Sequence, residues 1–214
     1  DEPANAAAFS PDGKLLAVAA GAPANEDGGS LWLFDVPDAA WKTGSKPLLG
    51  RRIAVGGGMP RRIAIDADGR LALLEVWSRP QKMGHVVQVD LASGTVLPDF
   101  IEQANGVNTV AFSPDGRRFA TAEGGRTVRI WDVVQRRQIG DEVRLGSSPE
   151  TLEFSPDGTK LAVGSRYGDV RGTVQMLSAE GKPLWPEPRL FMSGVQKVRF
   201  APDGVSLAVS FKNR

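Results

Sequence analysis

One histidine, no cysteine and a scatter of carboxylates are the material available for chemistry in this 214-residue chain. His85 stands in the strand-like run HVVQVDL, and a single imidazole without thiolates or a second histidine cannot assemble a zinc site. No serine occupies a G-x-S-x-G elbow to pair with it. Asp66-Ala67-Asp68-Gly69 begins like a calcium loop, D-x-D-G. Such a loop needs further oxygen ligands at fixed spacing and a late bidentate glutamate, whereas RLALLEVW, a strand, follows here. Gly56-Gly57-Gly58 lacks the Lys and Ser or Thr of a phosphate loop and reads as a flexible entry to the next element. No carboxylate pair can be placed on a common face. These residues predict no metal, no cofactor and no catalytic centre.

Bulk composition narrows the classes further. Hydrophobic residues make up 41% and charged residues 24%, as in ordinary globular proteins. The 26 basic and 25 acidic residues leave a net charge of +1, so nothing global attracts nucleic acid or an anionic membrane. No apolar run approaches the ~18 residues of a spanning helix. The start DEPANAAAF carries neither an initiator Met nor a basic-then-apolar leader. It reads as cut from a longer polypeptide, and the chain is expected in the cytoplasm.

The elements that position side chains come from a repeat. AFSPDGKLLAVAA, AFSPDGRRFATAE, EFSPDGTKLAVGS and RFAPDGVSLAVS share one pattern, and DADG replaces the turn once more. The turn aspartates are Asp12, Asp68, Asp115, Asp157 and Asp203, separated by 56, 47, 42 and 46 residues. A period of about 40–45 residues with four short strands is that of a propeller blade. In Ser113-Pro114-Asp115-Gly116 the proline pre-sets φ and the glycine takes a positive one, which makes a tight hairpin of TVAFS and RRFATA. TVRIWDV supplies a third strand and RQIGDEVRL a fourth, more polar one. Ala120 and Ala122 lie on one face of the second strand and Phe119 and Thr121 on the other, so the sheet is expected to be covered on both sides. The phenylalanines entering the turns, Phe9, Phe112, Phe154 and Phe200, are expected in the core.

VAFSPDG…FATAEGGRTVRIWDV resembles the WD40 repeat, with Trp131-Asp132 as the signature dipeptide. The likeness is strongest over 106–145 and weakest over 60–100, and the dipeptide decays to Phe34-Asp35, Val89-Asp90 and Leu177-Ser178 elsewhere. The SPDG turns with a long second loop are also similar to TolB-type propeller repeats, but TVRIWDV is the more specific match to WD40. The family's Gly-His element is absent, so its buried Asp–His–Ser/Thr–Trp network cannot form in full. The fold class is therefore all-β, a propeller of four-stranded antiparallel blades. Blades are expected at about 5–54, 60–101, 106–145, 149–190 and, in part, 195–214, all in one domain over 1–214. These four and a half blades are expected to belong to a ring of about seven, completed by the same polypeptide or by a second chain.

What the resemblance implies is a protein or peptide partner, bound on the rim shared by second-to-third-strand loops and blade-to-blade connections. On that rim the sequence places Arg61, Arg62, Trp77, Arg79, Lys82, Arg126, Arg166, Tyr167, Arg171, Phe191 and Met192. Arg, Trp, Tyr, Phe and Met are enriched in protein interfaces and their hot spots. Glu26 and Asp27 keep the rim from being uniformly basic, which disfavours nucleic acid. In the bacterial proteins that the chain resembles, such arrays serve signalling or effector domains as scaffolds or sensors. The alternative is a propeller enzyme with its site in the central channel. It requires convergent polar residues on the innermost strands, where only Glu150, Glu153, Lys197 and Arg199 are charged in NAAAF, RIAI, NTVAF, ETLEF and QKVRF.

Overall fold

The computed structural model of the chain describes residues 2–21, 28–36, 50–56, 58–78, 83–98, 106–167 and 171–211, with backbone alone for Met83 and Tyr167. Every named element is a β-strand in an antiparallel sheet, and no helix occurs among the described residues. The architecture is that of a β-propeller built from four-stranded blades. Contacts divide the chain into two units, Asp1–Asp99 and Phe100–Arg214.

The first unit holds two blades. Blade 1 runs β1 (Ala4–Phe9), β2 (Leu15–Ala20), β3 (Gly29–Asp35), β4 (Gly50–Gly56), each strand paired with the next. Blade 2 runs β5 (Met59–Ile65), β6 (Leu71–Ser78), β7 (Met83–Asp90), β8 (Thr95–Leu97) in the same way. One core joins them, with Ala17, Ala19 and Leu31 of blade 1 against Ala72, Leu74 and Val76 of blade 2.

The second unit holds two complete blades and a two-stranded sheet. Blade 3 comprises β9 (Val107–Phe112), β10 (Arg118–Glu123), β11 (Thr127–Asp132) and β12 (Arg137–Arg144). Blade 4 comprises β13 (Ser148–Phe154), β14 (Lys160–Tyr167), β15 (Arg171–Ser178) and β16 (Arg189–Phe191). Strands β17 (Val195–Phe200) and β18 (Leu207–Phe211) begin a fifth blade. Ala120 and Ala122 pack with Leu152, Leu161 and Val163 between blades 3 and 4. Ala162, Val174 and Met176 pack with Val195 and Val198 between blade 4 and the fifth sheet. The small residues of LAVGS are needed there, because a Cβ on Gly164 would lie 2.6 Å from Thr151 and 2.7 Å from Val195.

The repeated turn explains why one motif recurs. Gly116 N–H donates to the Ser113 carbonyl at 2.9 Å, with Gly116 at φ 65°. The Ser113 hydroxyl donates to Asp115 Oδ1 at 2.5 Å and accepts the Arg118 N–H at 3.0 Å, while Asp115 also accepts the Arg117 N–H at 3.0 Å. Ser10 with Asp12 and Ser155 with Asp157 repeat this arrangement. The Ser155 hydroxyl, then the Thr159 N–H, hold the Asp157 carboxyl down at about 2. Where blade 2 has Asp66 instead of serine, its buried Oδ1 accepts the Arg70 and Leu71 N–H groups at 2.7 and 2.9 Å. Where the fifth sheet has Ala201, Asp203 accepts both the Val205 and Ser206 N–H groups. Asp66 is thus a substitute for the turn serine.

The phenylalanines that enter the turns correct the sequence reading. Only Phe154 is buried; Phe112 and Phe200 are half-buried and Phe9 is 50% exposed. Position at the strand end does not set the depth, since Phe154 also ends its strand and is 5% exposed. The deep aromatic of blade 3 is Phe119, 1% exposed, on the strand after the turn. It stacks on Trp131 at 6.2 Å between ring centroids.

Trp131 anchors a polar chain through this blade. Its indole Nε1–H donates to Thr121 Oγ1 at 2.9 Å, and Thr121 reaches Glu123 at 3.5 Å. Glu123 is completely buried and pairs with Arg129, which also bonds Glu142 at 2.6 Å. The serine/threonine-to-tryptophan end of the family's network is therefore present without histidine, and a Glu–Arg pair continues it.

Candidate interaction surface

Antiparallel pairing puts the SPDG turns at one end of each blade and the second-to-third-strand loops at the other. The expected rim residues belong to that second end, although several lie inside strand ends. In the first unit, Arg61 and Arg62 are on the inner strand β5 and both are exposed. The Arg61 guanidinium carbon sits 4.9 Å from the centre of the Trp77 ring, a cation–π stack. Arg62 is the cross-strand partner of Glu75, which is 2% exposed. Burial raises the Glu75 carboxyl to about 7 against the opposing pull of Arg61 and Arg62. Arg79 and Lys82 lie outside the described residues.

The second unit gathers more of the expected residues at one end. Arg126 closes the β10–β11 turn at φ 62°, a left-handed conformation uncommon outside glycine. Its guanidinium donates to the Gly146 carbonyl at 3.4 Å, which ties that turn to the connection between blades 3 and 4. Ser147 of this connection bonds Thr173 of β15 at 2.9 Å. At the mouth of the β14–β15 hairpin, Arg166 is the register partner of Gly172 and Tyr167 of Arg171. Arg166 pairs with Glu150 at 3.4 Å, and its aliphatic stem lies beside Gly194. Met192, 74% exposed, stands in the same β16–β17 connection. Phe191 is half-buried, packed against the core between blade 4 and the fifth sheet with its ring 5.1 Å from that of Phe211.

Three of the inner-strand charges that an enzyme reading would use are held in ion pairs. Glu153 faces Arg199 at 3.3 Å and Glu150 faces Arg166 at 3.4 Å. Burial nevertheless raises the Glu153 carboxyl against the pull of Arg199. His85 lies half-buried on β7 opposite Val76. No group of three His, Cys, Asp or Glu suited to a metal ion occurs among the described residues.

The profile described as WD40, "WD domain, G-beta repeat", matches residues 94–132, from the start of β8 through the Trp131-Asp132 pair that ends β11. Residues 94–132 are therefore similar to a WD40 repeat, set within a chain of β-propeller blades. The matched repeat thus contributes the outer strand of blade 2 and three strands of blade 3. Among relatives, the "Periodic tryptophan protein 2 homolog" of Schizosaccharomyces pombe is 27% identical over 108 residues, 50% of this chain and 12% of that protein. "Protein groucho" of Drosophila melanogaster is 31% identical over 121 residues, 56% of this chain and 16% of that protein. "Mitotic checkpoint protein bub-3" of Caenorhabditis elegans is 36% identical over 69 residues, 32% of this chain and 20% of that protein. The matches to this chain therefore span a small part of each relative. "Kuenenia stuttgartiensis Hydrazine Synthase" aligns with 97% of the chain and 55% of its own at a TM-score of 0.76 and 20% identity, a likeness of fold.

Sequence reasoning missed the Arg61–Trp77 stack and the Glu123–Arg129 pair. The second was open to view, since Glu123 and Arg129 flank the tight turn GGRT closely enough to meet across a hairpin.

Proposed function

We propose that this WD40-like propeller is a non-catalytic module that binds a protein or peptide, as a scaffold or sensor within a larger protein. The observation that carries the reading is the gathering of Arg126, Arg166, Arg171 and Met192, all exposed, at one end of the second unit. Guanidinium groups beside an exposed thioether combine charge steering with adaptable apolar contact. The two-stranded sheet β17–β18 exposes Phe211 at 37%, and we propose that further strands, from the same polypeptide or a second chain, complete that blade.

The test is a pull-down with a partner identified by cross-linking. Changing Arg166 and Tyr167 to Ala together with Met192→Asp weakens capture at least tenfold while the melting temperature holds. Undiminished capture by the folded variant overturns the rim as the binding surface.

A further inference from the structure

Between the outer parts of blades 3 and 4 lies a cleft of about 480 Å³, within the range of ligand-binding pockets. Its floor is one face of β15, formed by the alternate residues Arg171, Thr173, Gln175 and Leu177. At ~3.3 Å per residue that row is roughly 20 Å long, the length of an extended segment of about six residues. Val143 and Leu145 of blade 3 make one wall. Pro186, Pro188 and the 64%-exposed Leu190 make the other.

Three features select an occupant. The lining is mainly aliphatic and proline, so it takes apolar side chains. It includes two arginines, Arg144 and Arg171, and no acidic residue. Arg171 makes no ion pair among the described residues, and Arg144 is 83% exposed and meets only Glu142 beyond the lining. Gln175, 9% exposed, spends its amide N–H on the Trp185 carbonyl at 3.0 Å and leaves Oε1 without a donor. A buried acceptor left unmatched costs stability and is ready for a peptide N–H.

We propose that this cleft binds an extended segment of a partner protein carrying aliphatic and acidic side chains. The carboxylates meet Arg144 and Arg171, a backbone N–H donates to Gln175 Oε1, and aliphatic groups lie between the proline wall and Leu145. The proposal rests on the reading of the chain as a peptide-binding module, and its surface shares only Arg171 with the rim residues named above.

The probe is a display library of random linear dodecamers, selected on the full chain. The expected result is enrichment of peptides with Asp or Glu and an aliphatic residue within a six-residue window. Fluorescence polarisation with a synthetic representative is expected to show at least tenfold weaker binding to Arg144→Glu and to the cleft-filling Thr173→Trp. The variants Val134→Asp and Val205→Asp, in exposed turns at the opposite end of the blades, are expected to bind as the parent does. Should Thr173→Trp fail to fold, Leu190→Glu at its exposed position replaces it. No enrichment, enrichment of basic or uncharged peptides, or binding indifferent to the cleft variants overturns the proposal. Binding lost in Met192→Asp and Arg166→Ala but kept in the cleft variants would overturn the cleft and leave the rim reading standing.

Discussion

Replacing Arg129 by methionine probes the polar chain inside blade 3. Glu123 has no exposed surface and the Arg129 side chain only 15%, so the change removes the one cation paired with a fully buried carboxylate. Breaking such a pair from one side costs about 3–5 kcal/mol. The Thr121 and Thr127 hydroxyls, at 3.5 and 3.4 Å from Glu123, remain and place the loss near about 3 kcal/mol. With a urea slope of about 2 kcal/mol/M, the midpoint falls by roughly 1.5 M, a large share of a stability of ~5–15 kcal/mol. The double variant Glu123→Leu with Arg129→Met removes both charges, and its expected stability is within about 1 kcal/mol of the parent. Urea titrations followed by tryptophan fluorescence and far-ultraviolet circular dichroism measure all three proteins. A single variant within about 0.5 kcal/mol of the parent, or a double variant no better than the single, refutes the reasoning.

Phe119→Ala is expected to cost about 3–5 kcal/mol, as truncation of a fully buried aromatic, and Phe112→Ala clearly less; equal losses in urea titrations would contradict the burial assigned to them. Ser155→Ala removes a buried hydroxyl that links Asp157 and the Lys160 N–H, with an expected loss of about 1–2 kcal/mol in the same assay. Glu75 titrates near 7 when folded and near 4.5 otherwise, so its effect on stability has a definite sign. Below pH 4.5 both states hold the proton and there is no penalty. Between 4.5 and about 7 the unfolded state ionises first, so stability falls by up to about 3 kcal/mol as pH rises, and the loss persists above. Glu75→Gln flattens that part of the pH–stability curve, whereas an unchanged slope would show that the buried carboxyl does not control it.

The blades were legible because each is encoded locally. Ser, Pro, Asp and Gly act within five residues, and their side-chain to backbone bonds form before any distant contact is needed. The depth of Phe9 and Phe112 was not legible. Alternation says which residues share a face, but not where along a strand the neighbouring blade stops covering it. For the same reason the half-burial of Phe191, read as a rim contact, against the cluster that contains Val195 was not legible. The Glu123–Arg129 pair, by contrast, could have been read from the spacing of the two residues across the hairpin turn. The cleft was hidden altogether, since its proline wall comes from GKPLWPEPR, a segment without periodicity that the Leu177–Pro183 bridge and the bond from Leu184 N–H to the Met176 carbonyl lay across blade 4.

Site-specific photo-cross-linking tests the central claim most directly. A benzoylphenylalanine probe in place of Met192 reports the end where the arginines gather; the same probe in place of Val134 or Val205, 81% and 83% exposed in turns at the other end, provides the contrast. In a lysate of cells that express the protein, irradiation is predicted to give a discrete adduct from position 192 and none from 134 or 205. Adducts only from the turn end, or equally from all three positions, would contradict the account.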